Sequence, residues 1–121
     1  MDNSDFRQIT IVSDKHQSVT RDYLARVTDP EFPKDAAASL AKSWGFDYWD
    51  GDRRVNYGGY YWVPGYWTLA ARRLIEEFGL TSSSSVLEIG CGKGFLLREL
   101  REQLPGINLS GIDISEYAVE N

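Results

Sequence analysis

Glu88, the glycines at 90, 92 and 94, and Asp113 are the residues whose types and spacing do chemistry together. Residues 86–94 read VLEIGCGKG, and Asp113 follows within GIDIS. Val86, Leu87 and Ile89 make a short apolar run of the kind that forms a buried strand. The glycines then turn the chain sharply into a helix against a nucleoside-like ligand. A carboxylate roughly twenty residues after the turn stands at the tip of the next strand, where ribose hydroxyls are bound. Gly90 lets the chain leave the strand, Gly92 removes bulk where a ligand must touch backbone, and Gly94 allows close helix–strand packing. Ionised Asp113 only accepts hydrogen bonds, which suits a pair of donor hydroxyls. An ordinary turn with Asp113 as a helix cap leaves this combination unexplained.

Spacing and charge narrow the ligand. The nicotinamide and flavin fingerprint places its third glycine one position later, where this chain has Phe95. A phosphate-cradling P-loop is excluded by Leu87 and Gly94, which stand where it needs a glycine and a Ser or Thr. Glu88 near the end of the strand would repel a pyrophosphate, so a ligand carrying positive charge is favoured. S-adenosylmethionine carries a sulfonium and an ammonium against one carboxylate, with both ribose hydroxyls free.

The stretch VLEIGCGKGFLL followed by GIDIS resembles the first and second motifs of the class I S-adenosylmethionine-dependent methyltransferases. The resemblance covers residues 80–121. It implies an α/β fold, the N-terminal part of a Rossmann-like methyltransferase, with S-adenosylmethionine as cofactor. It further implies that Glu88, Gly90, Cys91, Gly92, Gly94, Asp113 and Ile114 surround that cofactor. Glu88 would brace the loop or face the methionine ammonium, and Asp113 would take the ribose hydroxyls. The reaction implied is transfer of the sulfonium methyl to an acceptor oxygen, nitrogen or carbon. No catalytic base is assigned and no metal is expected. Cys91 reads as a small buried residue rather than a nucleophile, because His16, the sole histidine, lies far upstream. Lys93 reads as a solvated side chain.

The elements that position these residues follow from periodicity and punctuation. Residues 1–20 form a polar tail, residues 21–79 a helical and aromatic-rich cap, and residues 80–121 the cofactor-binding βαβ unit. One cap helix is expected to begin after Asp29-Pro30 or Pro33 and to run to Gly45, and another from about Tyr66 to Phe78 with Gly79 as its stop. The serine run 82–85 is expected to be a flexible connector. Residues 95–104 are expected to be an amphipathic helix, with Leu96, Leu97, Leu100 and Leu104 inward and Arg98, Glu99, Arg101 and Glu102 solvated. The second strand is placed at 107–114, with Ser115 as the N-cap of a following helix.

Between Trp44 and Trp67 lie ten aromatic side chains, including all four tryptophans. Glycines and Asp47, Asp50 and Asp52 interrupt any period, so a structured loop is expected. Trp49, Arg53, Tyr57, Tyr60 and Tyr61 are its candidate lid or acceptor-binding residues. Aromatic faces attract a sulfonium-linked methyl and exclude water, yet the same side chains also suit a satellite core. Arg53 and Arg54 suit a carboxylate clamp, or pairing with the neighbouring aspartates.

Composition bounds the rest. A length of 121 residues fits one domain or less, and 42% hydrophobic content argues for a folded core. A net charge of −5 disfavours a broad nucleic-acid surface. A single cysteine and the absence of a signal peptide or apolar span point to a soluble, cytoplasmic protein with no membrane partner. The expected partner is a small-molecule acceptor. With two strands the sheet is incomplete, so the chain is expected to be a fragment that needs a missing C-terminal half or a partner chain. Two competitors remain: an NAD- or FAD-dependent oxidoreductase fragment, and an interaction module with a vestigial nucleotide motif.

Overall fold

The computed structural model describes Leu24 and residues 27–121; the tail expected at 1–20 lies outside the described residues. Pro33 precedes α1 (Lys34–Ala41), whose Ala-rich run propagates a helix and whose Asp35 complements the positive helix start. The helix closes before the expected Gly45. The left-handed residue after it is Trp44, at φ 55°, rather than a glycine. That conformation costs a non-glycine residue about 1–2 kcal/mol. The Trp44 carbonyl offsets the cost by accepting hydrogen bonds from Trp49 Nε1 and Ser115 Oγ. The stretch expected to be all loop contains a one-turn helix, α2 (Phe46–Trp49).

α3 (Thr68–Phe78) ends at Gly79 as expected, with φ 58°. Its contact face is set by Ala70 and Ala71, and Phe78 at its end is exposed. The serine run is not a loose connector. Ser84 N–H donates to the Thr81 carbonyl, and Thr81 N–H donates to Ser84 Oγ at 2.9 Å, closing a turn into β1 (Ser85–Ile89).

β1, α4 (Phe95–Gln103) and β2 (Asn108–Ile112) form a βαβ unit, with the strands parallel and Glu88 in register with Gly111. Leu100, Ile107, Ala70 and Ala71 are buried where α3 packs on α4 of this unit. Glu99 departs from its expected solvated position. It is buried between the two helices, accepting from Thr68 Oγ1 at 2.9 Å and Gln103 Nε2 at 3.0 Å. Its charge complements the helix start at Thr68. The opposite sheet face, bearing Leu87, Ile89 and Ile112, is exposed, with Ile89 at 78%. α5 (Glu116–Glu120) follows β2, and Ser115 caps it by accepting from Ala118 N–H at 3.0 Å. Among the described residues no helix is long and apolar enough to cross a membrane.

Candidate functional site

Gly90, Gly92 and Gly94 all adopt positive φ (79°, 53° and 73°), a backbone region that other residues rarely enter. The turn they make is tied to β2. Gly90 N–H and Cys91 N–H both donate to the Ile112 carbonyl, and Gly92 N–H donates to Asp113 Oδ2 at 2.7 Å. The other carboxylate oxygen accepts from Ser115 N–H at 2.8 Å. Asp113 thus braces the turn and caps the approach to α5 together. A carboxylate offers about four acceptor positions, so the group retains capacity for two more donors.

A glycine that sequence reasoning passed over makes this closure possible. A Cβ at Gly111 would lie 2.7 Å from Cys91 Sγ and 2.8 Å from Leu97 Cδ1. The bare backbone of β2 is what admits the turn and α4. Burial, with Glu88 and Asp113 nearby, pushes the Cys91 thiol up and leaves it a poor nucleophile.

Glu88 is half-buried on the same side of the sheet as Gly111. Burial first, and the charge of Asp113 second, raise its carboxyl above the ordinary 4.5. Its Oε2 is shielded from solvent and has no hydrogen-bond partner among the described residues. An orphaned anionic oxygen of this kind calls for a donor or cation.

The cap is fastened to the turn by contacts with no local sequence signal. Trp49 is buried, and its ring lies over Gly92, where a Cβ would stand 2.9 Å from Trp49 Cη2. Its Nε1 donates to Ser115 Oγ at 2.8 Å. Lys93, expected in solvent, has a side chain only 8% exposed and pairs with Asp50 at 2.7 Å. Asp50 also accepts from the Tyr117 hydroxyl at 2.7 Å and from Tyr60 N–H at 2.9 Å. Burial alone would raise the Asp50 carboxyl. The hydrogen bonds from Lys93, Tyr117 and Tyr60 outweigh it and hold the group below 3.8.

The other candidate lid residues converge elsewhere. Arg53, Tyr57, Tyr60, Tyr61, Tyr66 and Phe95 line a cleft of about 350 Å³. Tyr60 stacks on Phe95 (centroids 5.0 Å apart), the residue directly after Gly94, so the cleft adjoins the glycine turn. Burial, then the neighbouring Tyr57, Tyr66 and Glu88, push the Tyr60 hydroxyl up to about 12. Trp49 stacks on Tyr57 behind this wall without lining the cleft, and Ile114 is exposed past the tip of β2. The two arginines separate. Arg54 pairs with Asp52 through two hydrogen bonds, while Arg53 Nη1 donates to the Tyr57 carbonyl. Asp47, Asp50 and Asp52 therefore leave Arg53 unpaired, and no carboxylate among the described residues reaches it.

Compared with known proteins, residues 64–121 match a family model described as a methyltransferase domain. A 42-residue stretch is 36% identical to YdaC of Bacillus subtilis (strain 168), which is described as an uncharacterized methyltransferase. The similarity covers 35% of this chain and 23% of that protein, so the chain spans about a quarter of the length of this relative. No solved structure matches the chain at a significant level.

Proposed function

We propose that the chain binds S-adenosylmethionine on its glycine turn, as the class I methyltransferases do, for transfer of a methyl group to a small-molecule acceptor; the match of residues 64–121 to a methyltransferase domain supports this reading. The observation that carries this reading is Glu88 Oε2, a solvent-shielded anionic oxygen without a partner beside three left-handed glycines. A cationic amino acid moiety satisfies it, whereas a diphosphate would be repelled.

The residues present fit the cofactor. Asp113, already fixed by Gly92 and Ser115, accepts the ribose hydroxyls with its remaining lone pairs. Glu88 would take the ammonium, and exposed Ile114 would offer an apolar surface to the adenine. When bound there, the cofactor would supply an activated methyl, its carbon–sulfur bond breaking as an acceptor lone pair forms the new bond and a neutral thioether leaves.

The chain's own contribution is orientation and exclusion of water. The Lys93–Asp50–Tyr117 contact holds the cap against the turn. Tyr60 stays protonated at neutral pH and serves as a hydrogen-bond donor; a group titrating near 12 is a poor base. The exposed Leu87, Ile89 and Ile112 face is read as one that further elements of the domain, or a partner chain, cover, since parallel sheets are buried on both faces.

Calorimetry with S-adenosylhomocysteine and NADH tests the proposal. The thioether should bind, and Asp113→Ala should weaken it by about tenfold or more. Tight NADH binding that depends on Asp113 would overturn the assignment.

A further inference from the structure

We propose that the aromatic cleft beside the glycine turn is the acceptor pocket, and that its ligand is a small aromatic carboxylic acid anchored by Arg53. This inference rests on the methyltransferase reading above and extends it to the class of substrate.

Four observations carry it. The cleft, at about 350 Å³, sits at the small end of ligand pockets, which run roughly 300–1,000 Å³. A single ring with a short polar substituent suits that space. Its lining is largely aromatic, with Tyr57, Tyr60, Tyr61, Tyr66, Trp67 and Phe95 around it, and Tyr60 is held between Phe95 (5.0 Å) and Tyr57 (4.7 Å, centroid to centroid). Contact with ring edges and side-chain surfaces of this kind favours an aromatic ligand body. The Tyr60 hydroxyl meets no partner among the described residues, so a neutral donor is available to a ligand oxygen.

The fourth observation is the pair of adjacent arginines. Arg54 is consumed by Asp52, whereas Arg53 faces no carboxylate among the described residues and spends one of its five N–H donors on the Tyr57 carbonyl. Arg53 is held in place. Gly58, at φ 67°, lets the Arg53 stem lie where a Cβ would meet its Cδ at 2.9 Å. A guanidinium seated by a bare glycine, anchored at one N–H and open at the others, is a carboxylate receptor. Glu88 acts on Tyr60 electrostatically but does not line the cleft, so the anionic end of the ligand is directed to Arg53.

The test is calorimetry on the full 121-residue chain with 4-hydroxybenzoate and its uncharged isostere 4-hydroxybenzamide as probes, alongside S-adenosylhomocysteine. The acid should bind and the amide should bind about tenfold more weakly or worse. Arg53→Gln should abolish that preference, while Arg54→Gln should retain it. Tyr60→Phe should weaken both probes. Arg53 is exposed, and circular dichroism with a thermal melt establishes that the Gln variant folds. Equal binding of acid and amide, an Arg53→Gln variant that keeps the preference, or no saturation by the acid up to about 10 mM would each overturn the proposal. If the thioether binds and the acid does not, the acceptor assignment fails alone. If the acid binds through Arg53 and the thioether does not, the cofactor reading fails and the cleft stands as an aromatic-acid site.

Discussion

The βαβ unit and the aromatic cap build their halves of the site from different materials. On the cofactor side the work is done by backbone: glycine φ angles, amide donors to Ile112 and Asp113, and an absent side chain at Gly111. On the cap side it is done by side chains that reach across the chain, Trp49 to Ser115 and Lys93 to Asp50. A backbone device is local in sequence and tolerates little change. A side-chain device is long-range and can be removed one group at a time. Substitutions in the two regions should therefore fail in different ways.

The largest effect is expected at the junction. Trp49→Ala removes a buried ring from Gly92 and leaves Ser115 without one donor, so it should cost about 3–5 kcal/mol. Chemical denaturation measures it. A loss below about 1 kcal/mol would mean that the cap is not docked on the turn in solution. Gly111→Val tests the backbone side. Its Cβ alone meets Cys91 and Leu97 well inside contact distance, and overpacking of this kind costs about 1–3 kcal/mol. Thioether binding should fall with it, because the turn is displaced from β2. A variant with wild-type stability and wild-type binding would break the distinction between the two regions.

These differences explain what could be read beforehand. β1, α4 and β2 were legible to within a few residues because apolar runs, glycine punctuation and a spaced acid are local signals. The cluster at Glu88, Gly90, Gly92, Gly94 and Asp113 was legible for the same reason, and the structure brings those residues together. Lys93 and Glu99 were misplaced in solvent because their partners, Asp50 and Thr68, are 43 and 31 residues away. A charge on a helix face carries no mark of a distant partner. Trp44 was equally hidden, since its left-handed backbone is held by contacts that include Ser115, 71 residues on. In the cap, composition marked out the aromatic residues but could not divide them. Only their geometry separates Trp49, packed on the turn, from Tyr57, Tyr60 and Tyr61 in the cleft.

Acid should sharpen the comparison further. Asp50 titrates below its ordinary 3.8 in the folded chain, so its contribution is fully present above that value and is lost as pH falls through the lower folded value. Asp50→Asn should lower the melting temperature at neutral pH and remove that part of the acid sensitivity. A melting curve whose pH dependence below 4 is unchanged in the variant would mean that the contact with Lys93 and Tyr117 is not formed.

The smallest effect should have the opposite sign, and it separates folding from function most cleanly. Glu88 titrates above 4.5 because burial and Asp113 disfavour its charge, so its contribution to stability is present below 4.5 and is lost as pH rises through the elevated folded value. Burial and Asp113 make the charged form of Glu88 unfavourable in the folded chain, so Glu88→Gln should raise the melting temperature slightly. The same substitution removes the anion proposed to meet the cofactor's ammonium. Affinity for S-adenosylhomocysteine should fall by about tenfold, and wild-type affinity should itself weaken on acidification through the Glu88 titration. A residue kept only for packing would move both readouts together. Opposite movement, with stability up and affinity down, is the behaviour of a charge held without a partner until a cation arrives.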